Sequence, residues 1–183
     1  MKREDAFALL REYTKNENLI KHALAVESVM KAYAKKYGED ENKWGITGLL
    51  HDFDYEKYPT QEKHPIKGSE ILKERGYPED VRYAILCHAD YLGLEKKSLM
   101  DKTLTAIDEL TGFIVAVTLV RPNKKLNEVK VKSVRKKMKD KAFARQVSRE
   151  DIIKGAELMD TDLNSHIEFV LNAMKEISDD LGL

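Results

Sequence analysis

Apolar residues recur along this chain mostly at three- and four-residue intervals, and the alternation of a half-buried strand is nearly absent, so the pattern predicts an all-α protein. A first helix covers Arg3 to Tyr13. A second runs from about Asn18 to Tyr37, where Gly38 supplies the C-terminal stop. A third leads through Trp44, Ile46 and Leu49 into a His51-Asp52 pair. Pro65 opens a helix to Arg75 with Gly76 behind it, and Pro78 opens another to Ala89. A long helix from about Ser98 carries Leu104, Ile107, Thr111, Ile114, Val115 and Thr118 on one face and stops near Arg121-Pro122, because proline disfavours helix in the residue before it. Two more, Arg149 to Met159 and Leu163 to Asp180, complete the chain.

Several polar residues interrupt these apolar stripes. On the second helix the stripe Leu19, His22/Ala23, Val26, Val29/Met30, Tyr33 points His22 inward. Val81, Ala84 and Ile85 continue to His88, and Leu104, Ile107 and Thr111 surround Asp108. A lone core histidine is ordinarily satisfied by a hydrogen bond. A buried aspartate, however, is costly without a cation or several donors, and separate helices each turning a metal-ligand type inward are most economically read as one shared site. Adjacent helical positions diverge by about 100°, so His51 and Asp52 can flank one ion best where their helix ends, as "HDFDYEKYP" suggests.

Composition narrows the classes. The 183 residues suit a single domain, 1–183, with a metal-binding core at about 18–122 onto which a basic segment, 121–141, and C-terminal helices, 149–180, pack. Thirty-two basic residues balance thirty-two acidic ones, so no net field recruits nucleic acid or membrane. A single cysteine, Cys87, suits a reducing cytoplasm, and the longest apolar run, "FIVAVTLV", is too short for a bilayer. The segment Arg121 to Lys141 holds ten basic and two acidic residues. It reads first as a solvated helix face plus a loop, and alternatively as an anion-attracting rim; no aromatics interleave to stack bases, which makes nucleic acid an unlikely partner. A homo-oligomer stays open.

The ordered set His22, His51-Asp52 and Asp108 resembles the HD-domain superfamily of metal-dependent phosphohydrolases, with its H…HD…D signature on a helical bundle, over about Leu19 to Pro122. The resemblance implies a compact bundle with a metal site in its core, and assigns a divalent ion to those four residues. His64 in "HPIKG" and His88 in "CHAD" resemble the extra histidines of two-metal members, among them the HD-GYP phosphodiesterases and the diadenosine tetraphosphate hydrolases of HD type. His166 matches nothing in the pattern. Gly76-Tyr77-Pro78 precedes His88 and reads as a helix-to-helix turn, so cyclic dinucleotide substrates are not favoured.

The implied chemistry is hydrolysis of a phosphate ester or anhydride of a small nucleotide-like substrate, with one or two ions of iron, manganese, zinc, cobalt or nickel, and Asp52 bridging if there are two. Asp54 and Glu56 are candidates to orient water or protonate a leaving oxygen, or else solvated loop carboxylates. Lys67, one turn after His64, and Arg121, from an Arg-Pro resembling that of HD-GYP proteins, are candidate phosphate contacts. Gly68 would let another helix approach closely. The alternatives are a dinucleoside polyphosphate hydrolase, a non-catalytic HD metal- or nucleotide-binding module and, more distantly, an HD oxidase.

Overall fold

Asn16, Asp40, Ser148 and Asp162 each stand where a helix begins, and each accepts a backbone N–H of the first turn on its side chain. Gly38 closes the second helix in the left-handed conformation, φ 72°, as its position after Tyr37 suggests. These local signals set the element boundaries in a computed structural model that describes every residue from Met1 to Leu183. The protein is all-α, with no strand. No helix is long and apolar enough to cross a membrane.

The chain divides into two compact units, Met1–Thr105 and Ala106–Leu183. No linker in the sequence marks the division, because it falls inside a continuous helix. The first unit holds α1 (Arg3–Tyr13), α2 (Glu17–Tyr37), α3 (Glu41–Leu50), α4 (Ile66–Glu74), α5 (Glu79–His88) and the start of α6 (Leu99–Leu119). Its core is built from Leu10, Ile20, Val26, Met30, Tyr33, Ile46, Leu49, Leu50, Phe53, Leu72 and Ile85, all essentially without exposure. α4 and α5 begin one residue after Pro65 and Pro78, the prolines standing at the cap instead of the first helical position.

Two details fix the packing of α2. Gly48 lies so close to it that a Cβ there would sit 3.0 Å from the Val26 carbonyl oxygen and 3.1 Å from the Glu27 nitrogen. The Glu27 carboxylate, 3 % exposed, is held by both Arg3 and Lys31. A buried charge needs such partners.

The second unit holds the rest of α6, then α7 (Val131–Met138), α8 (Arg149–Leu158), α9 (Leu163–Lys175) and α10 (Ser178–Leu181). The basic segment is a loop with a single 3-10 turn at Leu126–Glu128, followed by α7, which buries Val134 and leaves Lys132 and Lys136 exposed. α6 runs unbroken through Gly112. One C-terminal helix to Asp180 was expected from the pattern; instead it is interrupted at Ile177 (φ −117°, ψ 20°), and α10 ends at left-handed Gly182. Leu181 and Leu183 are both buried. Two residues apart they would point about 200° from each other on one helix, so the chain has to leave the helix between them. His166, unassigned by the sequence pattern, is buried with Nε2 3.1 Å from the Ala106 carbonyl oxygen.

Candidate metal centre

α3 ends at His51, and the chain then winds through turns to Lys57. Leu49, Leu50 and Phe53 are fully buried, and the Thr14 hydroxyl donates to the Phe53 carbonyl at 2.9 Å, so the pair His51-Asp52 is carried inward and tied down on both sides. Asp52 becomes the hub of the site. Its Oδ2 lies 3.3 Å from His51 Nε2 and 3.9 Å from His22 Nε2, while Oδ1 lies 3.1 Å from His64 Nε2 and 3.3 Å from His88 Nε2. Each carboxylate oxygen thus faces one pair of imidazoles. The donor atoms of His22, His51 and Asp52 lie within 4.8 Å of one another, as do those of Asp52, His64 and His88.

The remote nitrogens decide what these imidazoles can do. His51 Nδ1 is 2.8 Å from the Gly48 carbonyl oxygen, and His88 Nδ1 bonds the Ile85 carbonyl. A carbonyl can only accept, so both rings carry hydrogen on Nδ1, and in the neutral ring the Nε2 lone pair faces Asp52. His64 Nδ1 donates to Asp54 Oδ1 at 2.8 Å. Between His22 and His51 the two Nε2 atoms are 3.2 Å apart. Four imidazole Nε2 atoms gathered around one carboxylate, three of the rings turned by a hydrogen bond at the far nitrogen, is a donor set that a divalent transition-metal ion satisfies.

Asp54 is fully buried. It accepts His64 Nδ1–H on one oxygen and the Gly68 N–H, at 2.8 Å, on the other. What comes closest to Gly68 is this carboxylate: a Cβ on Gly68 would lie 2.8 Å from Asp54 Cγ. Glu56, a candidate for orienting water, has Oε2 committed to the backbone N–H groups of Lys15 and Asn16 at 2.8 and 2.9 Å, at the start of α2. Lys67 is exposed and pairs with Glu70 at 2.7 Å. In the second unit, Arg121 faces Glu128 at 3.6 Å, and Asp108 sits on α6 with its carbonyl accepting from the Thr111 hydroxyl. The sequence reading missed the pairing of Asp54 with His64. It also missed two tyrosines: Tyr55 sets its ring edge-on to His64 with centroids 5.2 Å apart, and Tyr91 donates its hydroxyl to the His64 carbonyl.

Because Asp54 Oδ1 and Oδ2 each take a different donor, an Asn can satisfy only one of them with its carbonyl oxygen. Asp54→Asn and Gly68→Ala should therefore each lower affinity for manganese by about 10- to 100-fold while leaving the helical spectrum intact. Equilibrium dialysis checks this; unchanged affinity in both would remove Asp54 from the site.

Burial opposes the charge on Asp52, but the His51, His64 and His88 imidazoles outweigh it and hold the carboxyl well below the usual carboxylate range. Burial also opposes charge on His64, yet its bonds to Asp52 and Asp54 raise it from the ordinary 6.5 to about 9. Charged His64 thus stabilises the metal-free fold fully below about pH 6.5, and that contribution is lost as the pH rises through about 9. An ion bound at Nε2 must displace this proton. Calorimetric titration of chelator-treated protein with manganese near pH 7.5, in buffers of differing ionisation enthalpy, should show about one proton released. Heats independent of buffer would contradict it.

Fold and site together define an all-α protein whose core-facing histidines and aspartate form a cluster fit for divalent metal. The chain belongs to the HD-domain family, whose model matches residues 19–112. Over 98 residues it is 28 % identical to ribonuclease Y of Oleidesulfovibrio alaskensis, and over 100 residues 30 % identical to ribonuclease Y of Desulfotalea psychrophila. These matches cover 53 % and 52 % of this chain but 18 % of each relative, so the chain spans under a fifth of the length of the curated relatives it matches. No solved structure matches.

Proposed function

We propose that this protein is a metal-dependent phosphohydrolase acting on a phosphate ester or anhydride of a small nucleotide-like substrate. The observation that carries the reading is the division of Asp52, one oxygen toward His22 and His51 and the other toward His64 and His88, which suits one ion on each side of a shared carboxylate. Asp108, the last residue of the family's H…HD…D pattern, is proposed as a further ligand. A divalent ion held by these residues would supply a lowered pKa for bound water and polarisation of a phosphoryl oxygen.

The chain's own residues do the positioning. Asp54 holds the His64 ring with Nε2 toward Asp52, and the Gly48 and Ile85 carbonyls do the same for His51 and His88. Asp54 is sealed from solvent and acts through His64; it is a positioning residue. The Lys67–Glu70 pair is exposed and weak, so Lys67 can exchange its partner for a substrate phosphate. Lys67→Ala is expected to raise KM more than Arg121→Ala, with metal content unchanged in both; the reverse order would move the phosphate pocket toward the basic segment.

A second reading, cleavage of a phosphodiester in RNA, is favoured by the two relatives named ribonuclease Y. The test is protein loaded with manganese or iron against mononucleotides, dinucleoside polyphosphates and a short RNA, with and without chelator. Metal-dependent turnover of a small nucleotide supports the leading reading. Shortening of RNA alone supports the second, and no turnover of any substrate by fully loaded protein overturns both.

A further inference from the structure

Tyr55 and Tyr91 are 40 % and 47 % exposed, although both touch a residue of the buried metal cluster. Tyr55 sets its ring against the His64 imidazole, at an interplanar angle of 86°, and Tyr91 bonds the carbonyl of the same residue. Ile66, two residues on, is 36 % exposed. The other strongly exposed large apolar side chains of this unit are Met1 and Leu99, so two of the five touch His64 and a third follows it by two positions. Single exposed apolar residues are ordinary, but their gathering at the edge of a polar, half-buried cluster calls for a ligand that is charged at one end and flat and apolar at the other.

We infer that Tyr55 and Tyr91 form a nucleobase subsite, against which the base of a nucleoside phosphate stacks while its phosphate lies at the Asp52 cluster. In a nucleoside 5′-phosphate only the sugar separates phosphorus from base, so a phosphate beside Asp52 and His64 leaves the base among the side chains flanking His64. Tyrosine rings accept any base by its face, which gives preference for a base over none without choosing among bases. The inference rests on the phosphohydrolase reading and assigns to Tyr55 and Tyr91 a preference for nucleotides over sugar phosphates.

The experiment compares a nucleoside monophosphate, adenosine 5′-monophosphate, with its base-free counterpart ribose 5-phosphate on manganese-loaded protein. Wild-type protein should prefer the nucleotide in kcat/KM. Tyr55→Ala and Tyr91→Ala should each reduce that preference by roughly 5- to 100-fold, chiefly through KM, at unchanged metal content. Tyr55→Phe and Tyr91→Phe keep the rings and should keep the preference, which separates stacking from the Tyr91 hydroxyl's bond to the His64 carbonyl. Turnover of both compounds without preference overturns the subsite and leaves the phosphohydrolase reading standing. If neither is turned over, calorimetry of the same two compounds with the same loaded protein decides: tighter binding of the nucleotide that is lost in the alanine variants supports the subsite, and equal or absent binding rejects it.

Discussion

Asp52→Ala should reduce bound metal to background in protein purified or reloaded with manganese, while its helical spectrum stays close to that of the wild type. The carboxylate faces four imidazoles at 3.1 to 3.9 Å, two through each oxygen, so its loss empties both halves of the cluster of their shared anion. The fold survives because Asp52 lies past the end of α3, and its neighbours Leu49, Leu50 and Phe53 remain buried. Phosphohydrolase turnover is expected to fall by roughly a thousandfold or more, about 4 kcal/mol of transition-state stabilisation. Elemental analysis is the deciding measurement: a variant that keeps stoichiometric metal would show the ligands to lie elsewhere.

The second large effect is expected from Gly48→Val. A Cβ at this position meets Met30 Cγ at 2.9 Å and the α2 backbone at 3.0 and 3.1 Å, and the valine methyls add bulk where helix backbone cannot yield. α2 and α3 have to part. His22 rides on one and His51 on the other, and the Gly48 carbonyl itself orients the His51 ring, so separation disturbs stability and site together. Denaturant unfolding should show a loss of about 3 kcal/mol, the upper end for overpacking, with lowered metal occupancy. Gly112→Ala is the internal comparison: nothing stands within 4 Å of its Cβ, so an alanine inside α6 should stabilise by up to about 1 kcal/mol. Equal effects from the two substitutions would mean that helix propensity, and not the α2–α3 spacing, governs Gly48.

Much of this architecture is written locally. The periodicity that predicts α1 to α6, the caps at Asn16 and Asp40 and the stop at Gly38 depend on residues within a turn or two of each other, and α1, α2, α4 and α5 fall within a residue of the expected bounds. The interruption at Ile177 is different. Met174 and Leu181 continue the apolar stripe of α9, so the pattern reads on as one helix, whereas burial of Leu183 beside Leu181 depends on where the chain end goes.

The same division runs through the site. Residue type and inward position select His22, His51, Asp52 and His88 from the sequence, because a polar group on an apolar face has to be satisfied by something. What the groups satisfy each other with is not local. Asp54 and Glu56 stand two residues apart in one turn region and look alike in sequence, yet one is buried under Gly68 and aims His64, and the other is exposed and accepts the backbone N–H groups that begin α2. Tyr55 and Tyr91 are thirty-six positions apart and meet at His64. The sequence by itself determined the helices and the residue types turned inward, through short-range hydrogen bonding and the periodicity of apolar positions. Which oxygen faces which imidazole, and which carboxylate orients a histidine instead of capping a helix, was decided by the tertiary structure alone, because hydrogen bonds between distant segments depend on where the packed helices bring their ends.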